Sequence, residues 1–268
     1  MEDLKISIVT VVFNGARYLE ETINSVLNQT YKNIQYIIID GGSTDGSVDI
    51  IKKYEDRLDY WVSEKDKGMY DGLRKGFAKV NGDVCAYINS DDFYPPTAFE
   101  TVAQIFREHQ NIKWLRGMGV RYSVNSSIVG AGRPFPETRN SIKKYLFGAI
   151  AQESCFWRTE LNQYVDWNKF ASFRLAGDHF VWYCFADHAD LYVVNCWIGG
   201  HRRHPGQLSG DMNKYLNEIK TFIDKRNIFD KLWVVKWKFL YRFCNETRWK
   251  KLLGNKLLVW NIEKSKFE

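Results

Sequence analysis

Four segments rich in β-branched residues alternate with segments of helical periodicity in the first third of the chain. Their apolar residues run through both faces, as in strands of a buried parallel sheet. Such alternation indicates an α/β fold with an open, mostly parallel sheet flanked by helices. The strands are predicted at 5–13, 34–39, 59–63 and 83–88. The intervening helices are predicted at 18–29, over a segment that carries Val48, Ile51 and Tyr54 with Asp45 as its cap, and at 69–80.

The pattern loosens after Pro95 and Pro96, and no linker or repeat interrupts the chain before about residue 225. We therefore predict one domain at 1–225, with halves 1–95 and 96–225, and a C-terminal extension at 226–268. Within the second half we predict helices at 97–109 and 176–186, strands at 114–123, 127–130, 152–158 and 191–198, and a polar loop at 199–210.

The composition is that of an ordinary globular protein, with 45% hydrophobic and 26% charged residues among 268. Such a chain has enough apolar area to bury a core, which excludes wholesale disorder. Its apolar runs are far shorter than the ~18–20 residues of a bilayer span, and no secretory signal is apparent at the start. Five scattered cysteines without a CxxC pair indicate a reducing compartment. A cytoplasmic protein is expected.

The net charge of +6 resides in the C-terminal extension, where residues 231–256 hold eight basic residues against Glu246 alone. The rest of the chain sums to about −1, so no basic face for nucleic acid is expected. Trp233, Trp237, Leu240 and Cys244 share one helical face among these charges. Residues 231–260 are either a peripheral contact with an anionic membrane surface, at the inner face of the cell membrane, or a helix packed on the body.

Acidic and polar side chains follow all four predicted strands: Phe13–Asn14, Asp40, Glu64 with Asp66, and Asp91–Asp92. The carboxyl ends of parallel strands form one edge, where ligands bind. Paired carboxylates there can hold a divalent cation and leave positions for diphosphate oxygens. The alternatives are a simple turn at Asp91–Asp92 and an Asx-turn or helix cap at Asp40. Neither a GxGxxG nor a GxxxxGK[ST] loop is present.

Four motifs in order carry a family resemblance: TVVFNG (10–15), IIIDGGSTDGS (37–47), SEKDKGMYDGLRKG (63–76) and NSDD (89–92). Together they resemble glycosyltransferase family 2, whose members are inverting, nucleotide-sugar-dependent enzymes of the GT-A fold. The resemblance covers roughly residues 4–210. The third motif is similar to a subgroup pattern, S-E-x-D-x-G-x-Y-D-A-x-N-K-G, with Gly72 in place of Ala and Arg74 in place of Asn.

The resemblance implies a role for individual residues in the first half. Asp40 would hold the uracil or ribose of the donor, and Asp91 the ribose or diphosphate. Asp92 would bind Mn²⁺ or Mg²⁺, with His204 as an additional ligand. The implied nucleotide-binding set is Val11, Phe13, Asn14, Asp40, Gly42, Asp66, Arg74 and Asp91.

The second half would supply the general base. Asp178, in the segment Leu175–His179, is similar to the family aspartate that deprotonates the acceptor hydroxyl; a helix cap is the alternative. Gln152 and Glu153 stand where relatives often carry His-Gln on the acceptor side. The segment 201–209 resembles the family's late Arg/His loop, which implies diphosphate contacts for Arg202 and Arg203.

These features favour a metal-dependent inverting glycosyltransferase. The expected reaction moves a hexose or N-acetylhexosamine from a nucleotide sugar, UDP-linked by expectation, to a hydroxyl of a saccharide or lipid-linked saccharide in polysaccharide or glycoconjugate biosynthesis. A sugar-nucleotide pyrophosphorylase is one alternative, although its glycine-rich loop with Arg and Lys is not reproduced at residues 13–17. A non-catalytic nucleotide- or sugar-binding module is the other.

Overall fold

The computed structural model describes residues 4–133, 135, 137–207, 211–243 and 246–268. The strands are β1 (Ile6–Val12), β2 (Ile34–Asp40), β3 (Tyr60–Ser63), β4 (Val84–Asn89), β5 (Trp114–Arg116), β6 (Gly119–Tyr122), β7 (Ile128–Gly132), β8 (Cys155–Arg158), β9 (Leu191–Val194), β10 (Gly200–Arg202), β11 (Leu257–Leu258), β12 (Trp260–Asn261) and β13 (Lys266–Phe267). The helices are α1 (Ala16–Leu27), α2 (Ser47–Lys52), α3 (Met69–Phe77), α4 (Ala98–Glu108), α5 (Arg139–Lys143), α6 (Trp167–Ser172), α7 (Gly177–Phe185), α8 (Met212–Ile219), α9 (Ile228–Arg242) and α10 (Glu246–Leu253). Two parts of the sequence predictions lie outside the described residues. These are Cys244 on the helical face of the extension and residues 208–210 of the predicted polar loop.

The main sheet has eight strands in the order β11-β9-β5-β8-β4-β1-β2-β3. Only β8 runs antiparallel to its neighbours, β4 and β5. All seven residues of β1 are buried, as its β-branched sequence predicts. The α/β architecture with a mostly parallel sheet and flanking helices is confirmed.

The predictions of local structure for 114–123 and 199–210 were wrong. The segment 114–123 is not one strand: β5 belongs to the main sheet, whereas β6 pairs with β7 and β10 in a second sheet. Gly117 separates them, and a Cβ atom there would lie 2.5 Å from Ile198 and 2.8 Å from the carbonyl oxygen of Cys196. Glycine therefore permits the crossing between sheets. Part of the predicted loop at 199–210 forms β10, parallel to β6.

The C-terminal extension packs on the body and then rejoins the main sheet. On the inner side of α9, the Trp233 ring lies 5.3 Å from Phe147 and the Tyr241 ring 4.4 Å from Phe135. After α10, strand β11 adds parallel to β9. The helical interpretation of the extension therefore holds only as far as Leu253. The face that carries Trp233 and Trp237 packs inward, as in the second interpretation of this segment.

The side of α9 opposite Trp233 and Trp237 exposes large apolar side chains. An outward apolar face is thus present, but it is not the tryptophan face. The fractional exposures are 61% for Leu232, 66% for Val235, 65% for Phe239 and 60% for Phe243. We call these four residues the outer face of α9. Among the helices of the described ranges, none is both long and apolar enough to cross a bilayer.

Candidate active site

The register of the central strands brings the acidic positions to one edge. Asp40, the last residue of β2, pairs with Val12 on one side and Ser63 on the other. On the far side of β1, Asn89 at the end of β4 pairs with Val11. The loops that follow these strands therefore begin side by side, and they carry Phe13–Asn14, Asp66 and Asp91–Asp92.

Asp40 is buried at this edge, and its two oxygens have different surroundings. Oδ2 accepts hydrogen bonds from the backbone N–H groups of Gly42 (3.0 Å) and Ser43 (2.9 Å) and from the Ser63 hydroxyl (2.6 Å). Oδ1 is buried and has no hydrogen-bond partner among the described residues. A buried carboxylate oxygen without a partner is costly, and a ligand N–H or O–H would satisfy it. The Asx-turn alternative is thus present at Oδ2, while Oδ1 is left for a ligand.

The loop after β3 packs closely against Asp40. Asp66 accepts a hydrogen bond from Gly68 N–H (2.8 Å), and burial raises its pKa above the usual range. A Cβ atom at Gly41 would lie 2.8 Å from Asp66 Oδ2, so glycine is needed for the two loops to meet. Arg74 is directed to Asp71, with Nη2 at 2.8 Å from Oδ1. Asp71 in turn accepts a hydrogen bond from Lys67 N–H (3.2 Å), so Arg74 pairs within α3 and supports the loop before it.

The loop after β1 is fixed by hydrogen bonds to the loop after β2. Asn14 has a positive φ of 51°, and its side-chain oxygen accepts from Thr44 N–H at 2.9 Å. Phe13, at the same edge, is 66% exposed, and Gly42 adopts a φ of +85°. The two loops therefore form a backbone-lined wall next to Asp40, with an exposed aromatic ring at its rim.

His204 contacts Asp91, the neighbour of its predicted partner Asp92. Its Nε2 lies 2.9 Å from Asp91 Oδ2, and its Nδ1 lies 2.9 Å from the Pro205 carbonyl oxygen. Because a carbonyl only accepts, Nδ1 must donate, which leaves Nε2 as the nitrogen facing the carboxylate. Histidines that ligate metals commonly make this backbone contact with the other nitrogen. An imidazole nitrogen beside a carboxylate oxygen is a donor set that suits Mn²⁺.

Asp92 lies behind this pair and braces the end of β4 against β10. Its Oδ1 accepts from Arg202 N–H at 2.9 Å and lies 3.3 Å from His201 Nδ1, and its Oδ2 accepts from the Asn89 amide at 3.3 Å. Burial raises the pKa of Asp92. Burial alone would lower the pKa of His201, but the hydrogen bond to Asp92 raises it to about 9. In the described part of the chain, no three His, Cys, Asp or Glu side chains are close enough to form a complete metal site.

The two predicted diphosphate arginines have different surroundings. Arg202 is 1% exposed, and its guanidinium bonds to Glu21 (2.6 Å), Ser126 (2.9 Å) and the Asp91 carbonyl (2.9 Å). These contacts, together with its position over the Tyr18 ring, do not fit a diphosphate ligand. The physical reason is that the guanidinium donors are already committed to the protein. Arg203 is exposed, so the diphosphate prediction rests on Arg203.

Asp178 lies in the first turn of α7 and is half-buried. Its Oδ1 accepts from the His179 N–H (2.7 Å) and from the Tyr215 hydroxyl (3.1 Å). Burial raises the pKa of Asp178 to about 6, although these hydrogen bonds act in the opposite direction. A carboxylate with such a pKa is suited to general-base catalysis near neutral pH.

Tyr70 joins the donor-side loops to the segment that carries Asp178. It is the second residue of α3, and its hydroxyl donates to the Leu175 carbonyl (2.7 Å) and accepts from Asp178 N–H (3.3 Å). A Cβ atom at Gly177 would lie 2.6 Å from the Tyr70 ring. The segment of Asp178 is therefore held against the start of α3, which follows the loop at the carboxyl end of β3.

Gln152 and Glu153 form a 3-10 turn before β8, where strand was predicted. The Gln152 amide donates to the Tyr87 carbonyl in the core, so it holds the turn in place. Burial and the neighbouring Asp92 raise the pKa of Glu153 to about 7, while His201 lowers it. Glu153 thus belongs to the electrostatic network of Asp92 and His201.

Sequence reasoning missed four residues of this arrangement: Tyr70, His201, Tyr215 and Glu218. Tyr70 could have been found, since it stands inside the third motif. His201 was given no role, although it directly precedes Arg202 in the segment 201–209. Tyr215 and Glu218 lie on α8, outside every motif, and no sequence signal points to them.

Solved structures with the same fold include two glycosyltransferases. *Staphylococcus aureus* TarS (residues 1–349), in complex with UDP-GlcNAc, superposes with a TM-score of 0.64 at 17% identity, over 97% of this chain and 77% of that one. The mannosyltransferase PcManGT from *Pyrobaculum calidifontis*, in complex with GDP-Man and Mn²⁺, gives 0.59 at 11% identity, over 91% and 71%. The fold is GT-A, as expected.

Sequence relatives are named as glycosyltransferases. An uncharacterised glycosyltransferase of *Nostoc* is 34% identical over 39% of this chain and 33% of its own length. Another, from *Mycobacterium tuberculosis*, is 31% identical over 58% of this chain and 59% of its own. The matches thus span a third to three fifths of these relatives. The model of "Glycosyl transferase family 2" matches residues 7–155, more than half of the chain. The chain belongs to glycosyl transferase family 2.

Proposed function

We propose that this protein transfers a hexose or N-acetylhexosamine from a UDP-linked sugar to an acceptor hydroxyl, with inversion at the anomeric carbon. The observation that carries this proposal is the junction at Tyr70, whose hydroxyl binds the segment of Asp178 from the nucleotide-side edge. A general base beside a nucleotide site is the arrangement that glycosyl transfer requires. TarS and PcManGT, which share the fold, were solved with nucleotide sugars.

The donor would lie on the carboxyl edge of β1–β4. Asp40 Oδ1, buried and unpartnered among the described residues, would accept a hydrogen bond from the uracil N–H or a ribose hydroxyl. Asn14, Gly42 and Asp66 shape the wall around it. Arg203 would pair with the diphosphate, for which a guanidinium is well suited.

Asp91 and His204 would hold Mn²⁺ or Mg²⁺, with the donor diphosphate completing the coordination. Their facing oxygen and nitrogen, and the carbonyl behind His204, support this assignment. Asp92, the ligand predicted from the resemblance, would act from behind by bracing the loop of Asp91. When bound, such a cation neutralises charge that develops on the leaving diphosphate.

Asp178 would act as the general base. Its carboxylate takes the proton of the acceptor hydroxyl as the acceptor oxygen forms a bond to the anomeric carbon. The bond from that carbon to the diphosphate oxygen breaks on the opposite side, and the nucleoside diphosphate leaves with the electron pair. Because Asp178 must be deprotonated, activity should fall as pH drops through its pKa of about 6.

A donor panel with Mn²⁺ or with EDTA tests this proposal. One of UDP-glucose, UDP-galactose or their N-acetyl forms should release UDP in a metal-dependent manner, and turnover of GDP-mannose instead would contradict the UDP assignment. Asp178→Asn should slow this release by about 10²–10⁴-fold while binding the free nucleotide as the wild type does. Release of pyrophosphate would favour a pyrophosphorylase instead, and no turnover with any donor would favour a binding module.

We further propose that the outer face of α9 docks on an anionic lipid surface, which would give access to a lipid-linked saccharide. Exposed Lys231, Lys236, Lys238 and Arg242 stand on the same helix as its apolar residues. Apolar side chains flanked by basic ones suit the headgroup boundary. An open cleft of about 610 Å³ between α9 and α10 continues this surface, and its lining residues are Phe239, Leu240, Phe243, Arg248, Lys251 and Leu252.

Vesicle flotation checks this docking. The wild type should float with phosphatidylglycerol-containing vesicles, less at high salt, and not with phosphatidylcholine alone. Phe239→Ser combined with Phe243→Ser should reduce the bound fraction about tenfold, because two aromatic rings that would be buried in the lipid are lost. Ile262→Ser is the matched control, since Ile262 is equally apolar and 84% exposed but lies outside α9. Equal flotation of both variants would contradict docking through this face.

A further inference from the structure

Helix α8 contacts the segment of Asp178 through two side chains one helical turn apart. Glu218 accepts hydrogen bonds from three consecutive backbone N–H groups just before α7: Arg174 (3.0 Å), Leu175 (2.9 Å) and Ala176 (2.8 Å). These N–H groups belong to the N-cap residue Ala176 and to the two residues before it. The Glu218 carboxylate satisfies their hydrogen-bonding capacity, and its negative charge stands on the N-terminal side of α7, where the helix dipole favours it. The backbone that carries Asp178 is therefore fixed from outside its own helix.

Tyr215 contacts the carboxylate itself. Its hydroxyl donates to Asp178 Oδ1 at 3.1 Å, and the His179 N–H donates to the same oxygen at 2.7 Å. Within the described part of the chain, both of these hydrogen bonds to the carboxylate end on Oδ1. Oδ2 is the oxygen that remains to accept a proton.

We infer that α8 positions the general base: Glu218 fixes the backbone under Asp178, and Tyr215 selects the carboxylate oxygen that receives the proton. This inference rests on the proposed role of Asp178. Both residues are positioning residues, because they act on the acceptor through Asp178. Neither belongs to any motif of the sequence.

The two residues act on the charge of Asp178 in opposite directions. The hydrogen bond from Tyr215 stabilises the carboxylate and lowers the pKa of Asp178, whereas the negative charge of Glu218 raises it. The ionisable groups that face Asp178 from the surrounding elements are Tyr70, Tyr87, Tyr145, Cys155, Tyr215 and Glu218. Phenols and thiols are neutral near pH 7, so Glu218 is the charged group in this set.

The pH profile of donor hydrolysis, in which water replaces the acceptor, tests this inference with Tyr215→Phe and Glu218→Gln. Removing the Tyr215 hydroxyl should raise the pKa of Asp178 and move the acidic limb of kcat/KM to higher pH. Removing the charge of Glu218 should lower that pKa and move the limb to lower pH. Glu218→Gln should also reduce kcat at pH 8 several-fold with little change in the KM for donor, because a neutral amide cannot bind all three N–H groups.

Asn213→Ala is the matched control, because Asn213 is exposed on the same helix; its limb should coincide with that of the wild type. Circular dichroism melts verify that each variant is folded, and Tyr215→Phe alone suffices if Glu218→Gln does not fold. If the acidic limbs of kcat/KM in Tyr215→Phe and Glu218→Gln shift in the same direction, or do not shift, the positioning role is overturned. An active Asp178→Asn would instead overturn the assignment of the base, which separates the two failures.

Discussion

Adjacent residues of the same type have different roles at this site. Arg202 and Arg203 follow each other in the chain, yet the first is buried against Glu21 and the second is exposed. Asp91 and Asp92 divide in the same way, since the first faces His204 and the second binds Arg202 N–H. Arg202 and Asp92 hold the segment that begins at His201 in place. Arg203 and Asp91 are the members that the proposed function assigns to the donor.

Substitution of each arginine by methionine separates these roles. Arg202→Met should lower the free energy of unfolding by about 2 kcal/mol, because the Asp91 carbonyl and Glu21 lose their donor; Glu21 reaches water, which limits the loss. Arg203→Met should change stability by less than about 0.5 kcal/mol but weaken nucleoside diphosphate binding about tenfold. Urea unfolding and titration calorimetry measure the two effects. A stable Arg202→Met with poor nucleotide binding would contradict this division.

Individual site residues were predictable from the sequence only where they stand at the end of a predicted strand or the start of a predicted helix. Asp40 and Asp178 could be proposed because each stands at an element boundary inside a motif. The sequence did not show whether Asp91 or Asp92 faces His204. The geometry of the turn after β4 decides this, and the residue types do not define that geometry. Tyr215 and Glu218 were not predictable for a related reason, since their contacts arise only when α8 packs on the start of α7.

At the scale of elements, the site depends on the close approach of α3 and α7. The Tyr70 ring fills the space that a side chain at position 177 would occupy, so the two helices meet through a glycine. The Tyr70–Phe170 contact, with ring centroids 5.0 Å apart, supports the ring from α6. Three helices are thus packed around one tyrosine beneath the candidate base.

Gly177→Ala tests this packing. The added methyl group must displace the Tyr70 ring, which should cost about 1–3 kcal/mol of stability and reduce donor hydrolysis by moving Asp178. Gly132→Ala is the control, because a Cβ atom there would meet no described residue beyond its chain neighbours within 4 Å, and it should leave both quantities near the wild-type values. Thermal melts and hydrolysis rates are the measurements. Wild-type turnover in Gly177→Ala would show that this contact does not position the base.

Elements were predictable where local sequence decides them. Strands β1, β2 and β4 were located because continuous β-branched runs end at polar turns. The segment 114–123 was misjudged because its apolar residues serve two sheets, and the change of sheet at Gly117 depends on Ile198 and Cys196, which are distant in the chain. Strand β11 escaped prediction for the same reason: two leucines become a strand only beside β9.

At the scale of the whole molecule, the acidic edge lies where the two predicted halves meet. Phe93 and Gly200 exchange two backbone hydrogen bonds (3.2 and 2.9 Å), Asp92 binds Arg202 N–H, and Tyr70 binds Leu175. Contacts that join the halves therefore also shape the proposed donor and base sites. The chain's excess positive charge is elsewhere, around α9 and α10, where the membrane surface is proposed.

The most direct measurement is calorimetric titration of UDP and of GDP, with Mn²⁺, into the wild type and Asp40→Asn. The asparagine oxygen can keep the hydrogen bonds that Oδ2 accepts, while its NH₂ replaces the unpartnered Oδ1 and opposes the N–H of a base. The proposed function predicts that UDP binds the wild type more tightly than GDP does, and more tightly with Mn²⁺ than without, and that UDP binds Asp40→Asn at least about tenfold more weakly. Equal affinity of the two folded proteins, or no binding of either nucleotide, would contradict it.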